Sequence, residues 1–257
     1  MPSPPSPRPA PSTAAAAVKS NQQGGIITDI EQNVAHVLEQ IRTAACGREV
    51  MLVAATKMND ADTIRRAIRA GIHACGENRV QEMMDKLEQG AYEGAPLHFI
   101  GSLQKNKVKF VVGNCDLIHS VNSVSLLEAI NKRAAALGIV QDVLLEVNIA
   151  REESKTGFLP ELLPAFLETA PNLTNIRVRG LMAIPPIQKK IGENRVYFAQ
   201  MRQLFIDIGA KKYDNVSMDF LSMGMSGDFE DAIREGANMV RVGTAIFGAR
   251  NYGQAAQ

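Results

Sequence analysis

Short, continuous apolar runs alternate along this chain with stretches of helical spacing, and that alternation constrains its fold more than any other feature. "EVMLVAAT" at 49–56 is apolar at almost every position, which suits a strand buried on both faces. "DADTIRRAIRAG" then shows a helical period closed by Gly71. The pair recurs. Strands are expected at 50–56, 72–76, 97–100, 116–120, 142–148, 177–183, 218–222 and 238–242. Helical patterns fill most gaps, among them "NRVQEMMDKLEQG", "VSLLEAINKRAAALG", "ENRVYFAQMRQLFIDIG" and "DFEDAIREG". Ahead of the first strand, Ile30, Val34, Val37, Leu38 and Ile41 mark one helix face, with Thr28 or Asp29 as its N-cap.

Strands separated by helices pair in parallel, and eight such units close into a single (β/α)8 TIM-type barrel. A doubly wound open sheet is the competing α/β arrangement. The barrel is favoured because 257 residues match the roughly 250 it needs and leave no second domain's worth of chain. The barrel is assigned to residues 28–250. Residues 1–27 begin "MPSPPSPRPAPSTAAAAVKSNQQGG", too poor in large apolar residues to offset ordering entropy, and are expected to be a disordered leader. Residues 251–257 are expected to be a tail.

Lys and Arg exceed Asp and Glu by 28 − 27 = +1, so nothing in the balance points to nucleic acid or an anionic membrane as partner. No apolar run approaches the roughly 18 residues of a membrane span. Cys46, Cys75 and Cys115 are odd in number and lack CxxC spacing. Disulfides and structural zinc are not expected, and a cytoplasmic location is.

Barrel enzymes and binding proteins draw their functional residues from the carboxyl ends of the strands. Here those ends carry Lys57, Glu77 and Asn78, Gln104, Asn148 and Met182, then the loops "SMGMSGD" and "RVGTAIFG". The loops after strands seven and eight are the usual phosphate position in barrels. Gly224, Gly227 and Gly243 let backbone N–H groups approach an anion, Ser226 and Thr244 supply hydroxyls, and the helix opened by "SGDFEDAIREG" offers a positive amino end. Turn glycines and an N-cap serine would give the same letters. There is no GxxxxGK[ST] or GxGxxG.

Lys57 alone reads as a lysine snorkelling from a strand end. At a pKa of about 10.4 only roughly one lysine in 2,500 is neutral at pH 7, about 4.6 kcal/mol from a free amine. Burial, or a cation such as Arg241, reduces that cost and readies an amine for an aldehyde. With a phosphate cradle expected on the opposite side of the mouth, the molecule carrying both groups is pyridoxal 5′-phosphate.

Five blocks then carry a resemblance: "VAATKMNDADTIRRAIRAGIHACGENRVQE", "LHFIGSLQKNKVK", "LEVNIAREESKTGF", "VRGLMAIPP" and "LSMGMSGDFEDAIREGANMVRVGTAIFG". Together they resemble the pyridoxal phosphate homeostasis proteins, single barrels similar to the N-terminal domain of alanine racemase, over about residues 28–250. The resemblance implies that Lys57 forms a Schiff base with the cofactor and that Ser226, Gly243 and Thr244 hold its phosphate. It places Arg241 near the cofactor, at ring nitrogen or phosphate, with Asn78 and Met225 as further contacts and Lys155 as a secondary or transfer site. "ATKM" and "GSLQKNK" depart from the family's usual "SKT" and "GPLQ.NK" and leave Lys57 in place.

The function implied is a cofactor-binding regulator of intracellular vitamin B6, buffering the cofactor or delivering it to apoenzymes. Amino-acid and keto-acid balance would change indirectly. The alternative is a weak amino-acid racemase, with Lys57 as one base and a mouth residue such as His119 as the other. Racemases draw a second base, a tyrosine, from another domain, and the four tyrosines here fall in helices, loops or the tail. His98 and His119 are expected to be satisfied by backbone. A metal-dependent hydrolase lacks a His/Asp cluster at the strand ends. Glu146 shares a strand face with Asn148 and either orients the mouth or pairs with a buried cation.

Overall fold

The structure, a computed structural model, describes residues 29–169, 172–188 and 190–248. The expectations for the leader and tail lie outside these residues. Helix α1 (Ile30–Ala45) buries Ile30, Val34, Val37 and Ile41, and Asp29 caps it by accepting from the Gln32 N–H at 3.1 Å. It stops where Cys46 and Gly47 both turn to positive φ. The chain continues through β1 (Met51–Ala55), α2 (Ala61–Arg69), β2 (Ala74–Glu77), α3 (Val80–Glu88) and β3 (Leu97–Phe99). A 3₁₀ turn leads into α4 (Val108–Val111), followed by β4 (Leu117–Val121), α5 (Val124–Leu137) and β5 (Gln141–Val147). Then come α6 (Leu163–Thr169), β6 (Ile176–Ala183), α7 (Arg195–Gly209), β7 (Val216–Ser222), α8 (Phe229–Arg234), β8 (Met239–Val242) and α9 (Thr244–Phe247).

The strands pair in sequence order, all parallel, and β8 closes back onto β1 through Leu52↔Val240 and Val53↔Arg241. Closure settles the competition with an open sheet. Strand alternation divides the core in two. Leu52 and Ala54 face the helices, whereas Val53 faces the lumen with Ala74, Ile100, Leu117, Leu144, Met182 and Met239. Each large aliphatic side chain so enclosed contributes about 1.5–3 kcal/mol. Gly180, at φ 146°, lets β6 meet β7: a Cβ there would lie 1.9 Å from the Phe220 carbonyl oxygen.

Each expected strand is present, with its ends shifted by at most two residues. The largest shifts, of two residues, are at the starts of β2 and β7. Next to β2, His73 bonds Leu52 twice, its N–H donating to the Leu52 carbonyl at 3.1 Å and its Nδ1 accepting the Leu52 N–H at 2.9 Å. The helix expected after "SGD" exists but is only six residues long. Its amino end already carries Asp228, Glu230 and Asp231, so the anion preference expected there is not provided by that helix.

Candidate functional site

At the end of β1 the alternation turns Thr56 toward the helices and Lys57 toward the mouth. Thr56 is buried and Lys57 half-buried. Residues 58–60 then turn: Met58 has φ 64°, Asn59 Nδ2 donates to the Lys57 carbonyl at 3.1 Å, and Asp60 caps α2 through the Thr63 N–H at 2.7 Å. Asn78 stands one residue beyond β2, and its buried Oδ1 has no hydrogen-bond partner among the described residues.

Ser226 and the start of α9 form the second part. The Ser226 hydroxyl accepts from the Gly243 N–H at 3.1 Å and the Ala245 N–H at 3.4 Å. Two main-chain donors and a hydroxyl with a proton of its own therefore converge at one point, with Thr244 exposed beside them. Gly224 (φ 91°) permits this approach, because a Cβ would meet Ala232 Cβ at 2.6 Å and Phe229 Cα at 2.9 Å. Met225, partly exposed, fixes the loop by donating its N–H to Asp228 at 2.8 Å. The cradle lies beside the lysine, not across the mouth from it as the sequence suggested. Barrel closure puts β8 next to β1, and a Cβ on Gly243 would sit 3.3 Å from that of Ala55.

Arg241 projects into the lumen, fully buried. Its guanidinium donates to Ser222 Oγ at 2.5 Å and to the Ala183 carbonyl at 2.9 Å. Ser222 lies 3.1 Å from His119 Nδ1, and His119 Nε2 lies 3.1 Å from His98 Nδ1. One polarity satisfies all three contacts: Arg241 donates to Ser222, Ser222 to His119, and the His119 Nε2–H to His98. Burial pushes His98 down to about 4 and His119 well below its ordinary value, so both are neutral near pH 7. The histidines are thus satisfied by a side-chain relay and not by backbone, which corrects the sequence expectation. Two histidines on lumen-facing positions of adjacent strands were the available signal.

Across the mouth, Glu146, Asn148, Lys155 and Ile184 line a cavity of about 270 Å³. Lys155 pairs with Glu152 at 2.6 Å. Burial holds the Glu146 carboxyl up at about 7, against the pull of Arg241 and Lys155; Glu146 feels the buried cation, and the salt bridges among the described residues do not include it. Burial also lowers Arg241 to about 10, still cationic at neutral pH. The structure therefore gathers Lys57, Ser226, Arg241, Gly243 and Thr244 on three adjoining strands. Lys155 stands apart, on the wall of the cavity that Glu146 also lines. Among the described residues no group of three or more His, Cys, Asp or Glu is placed to hold a metal ion, and no helix is long and apolar enough to cross a membrane.

The sequence model of the alanine racemase N-terminal domain matches residues 30–251. The pyridoxal phosphate homeostasis protein of Aquifex aeolicus is 43% identical over 226 residues, covering 86% of this chain and 98% of its own. The Escherichia coli protein of the same name is 38% identical over 234 residues, covering 88% and 99%. Among solved structures, PipY of Synechococcus elongatus with PLP bound superposes with a TM-score of 0.75 at 34% identity, over 86% of this chain and all of that one. An alanine racemase of Clostridium difficile shares the fold at a TM-score of 0.65 and 15% identity, over 85% of this chain and 57% of its own.

Proposed function

The chain belongs to the alanine racemase N-terminal domain family, among its pyridoxal phosphate homeostasis proteins, and on that premise we propose that it holds pyridoxal 5′-phosphate reversibly and serves vitamin B6 homeostasis. The observation that carries this reading is the convergence of an anion cradle and an amine on adjoining strands. The Gly243 and Ala245 amides meet at Ser226, beside the strand that ends in Lys57. The residues fit the cofactor in two further ways: Asn78 Oδ1 is buried without a partner, and Arg241 is held rigidly on the floor of the mouth.

Bound there, the cofactor supplies an aldehyde that condenses with an amine, losing water. Lys57 is the amine and so the site of a Schiff base. Ser226, Gly243 and Thr244 hold the phosphate. Arg241 presents fixed positive charge to the ring side, and Asn78 and Met225 border it. Lys155, at the far wall, is a secondary contact during transfer. With the cofactor held at Lys57, release to another amine would restore the lysine amine, so that this protein would be left unmodified. Delivery of that kind, in the cytoplasm, fits the three free thiols among the described residues.

The reading is a carrier and regulator, not an enzyme. The relatives are named for homeostasis, and His119, the mouth residue offered as an example of a second base, is fully buried and committed to Ser222 and His98. The test is the visible spectrum of the purified protein with added cofactor, before and after Lys57→Ala. The wild type gains the absorbance of a lysine-bound aldehyde and the variant does not. Absorbance retained by the variant overturns the role of Lys57, and none in either protein overturns cofactor binding.

A further inference from the structure

Behind Lys57, on the helix side of β1, lies a buried ionic cluster that no part of the cofactor reading uses. Lys86 of α3 is 6% exposed and Glu77 of β2 is 0% exposed. The Lys86 ammonium uses all three protons, donating to Glu77 Oε1 at 2.7 Å, to Glu82 Oε1 at 2.7 Å and to the Thr56 carbonyl at 2.9 Å. Glu77 Oε1 also accepts the Thr56 hydroxyl at 2.7 Å, and Glu82 accepts the Met58 N–H. The cluster thus grips the backbone on both sides of Lys57, at Thr56 and at Met58.

Fold stability is a poor reason for such a cluster. Burying ions carries a desolvation penalty that their attraction seldom exceeds, and apolar replacements often do as well. Its contents argue the same way. One ammonium faces two carboxylates, with the Tyr92 hydroxyl set against Glu77. Meanwhile, in the segment it grips, Met58 takes a left-handed φ of 64° without being glycine, a conformation that surrounding contacts must impose beyond the local bonds Asn59 makes to the Thr56 and Lys57 carbonyls. A lysine side chain has four rotatable bonds, so the position of its amine is only as well defined as the backbone it starts from.

We propose that Lys86, clamped between Glu77 and Glu82, is a positioning residue for Lys57: it fixes the Thr56–Met58 backbone and so aims the amine along the mouth toward the cradle. This rests on the reading of Lys57 as the amine that takes the aldehyde. The clamp acts through two peptide units, at the Thr56 carbonyl and the Met58 N–H.

The full-length chain with Lys86→Met tests it by two readouts. In the protein without cofactor, the pH profile of Lys57 modification by formaldehyde and a hydride donor, followed by mass spectrometry, reports the environment of the amine. With pyridoxal phosphate added, the rate at which the visible band decays on dilution reports release. The expected result is a folded variant whose Lys57 profile is shifted and whose release is about tenfold faster, the scale set by the hundredfold losses that follow a 1 Å misplacement. A folded variant with both readouts within about twofold of wild type overturns the proposal. Should Lys86→Met not fold, Glu82→Leu, whose side chain reaches the surface, is judged by the same two outcomes. Lys57→Ala keeps the two readings separable. If that variant keeps the visible band, the cofactor's amine is not Lys57, and the modification profile alone then decides the clamp.

Discussion

Lys86, Glu77 and Glu82 lie between the barrel wall and α3, whereas Arg241, Ser222, His119 and His98 line the lumen; both groups are buried, and they handle charge in opposite ways. The outer group sets one ammonium against two carboxylates. The inner group keeps one charge, on Arg241, and spreads its hydrogen bonding over a hydroxyl and two neutral imidazoles. Charge that is crowded fixes a backbone at a few points and is easily broken by removing one partner. A satisfied neutral chain instead orients one cation and tolerates loss by relaxing along its length.

Glu77→Ala breaks this comparison most severely. It removes the acceptor shared by Lys86 and Thr56 and is expected to lower stability by about 3–5 kcal/mol, read from urea midpoints. The double change Lys86→Met with Glu77→Leu is expected to restore most of that loss, since apolar replacement of a buried pair is often neutral. If the single change is mild, the outer cluster is not the rigid element described. His119→Leu in the inner chain comes next, at about 1–3 kcal/mol, because Ser222 and His98 each lose one partner. A loss as large as that of Glu77→Ala would erase the distinction between the two groups.

The smallest effect depends on pH and concerns Glu146, which faces the inner group's only cation. Its carboxyl is raised by burial to about 7 from an ordinary 4.5. The folded state therefore binds this proton more tightly than the unfolded chain does. The group's contribution is fully present below 4.5 and is lost as pH rises to 7. Glu146→Gln removes the titration, so without cofactor it is expected to be on the order of 1–2 kcal/mol more stable than wild type near pH 8 and equal to it near pH 4. Thermal melts at the two pH values check this, and equal melts near pH 8 would show that Glu146 is solvated.

Strand order and element positions were legible because doubly buried strands and one-sided helices leave different periods in the sequence. The Asp29 cap and the glycine-rich loops after β7 and β8 were legible for a related reason: turn and cap chemistry is local. What the sequence left unread depends on register and closure. His98 and His119 are separated by a helix in the chain, and only the β3–β4 pairing, with Leu117 opposite His98, sets them on one inner face. Lys86 in "VQEMMDKLE" looks like any helix-surface charge until α3 settles over the end of β1. The cradle's place beside Lys57 follows from β8 pairing with β1, a neighbourhood that the expected closed barrel already entailed and that placing the cradle across the mouth overlooked.

That last pairing bears on how the protein is made. The amine emerges from the ribosome early, on the first stave, and the main-chain donors that complete the anion cradle emerge late, on the last. A nascent chain therefore carries Lys57 long before it carries anything to hold a phosphate next to it. Under the proposed function, cofactor retention becomes a test of completed synthesis: a chain arrested before β8 can meet the aldehyde but cannot keep it. Because a ligand that binds only the closed form stabilises only that form, vitamin supply would act on the mature population and leave unfinished chains unmarked.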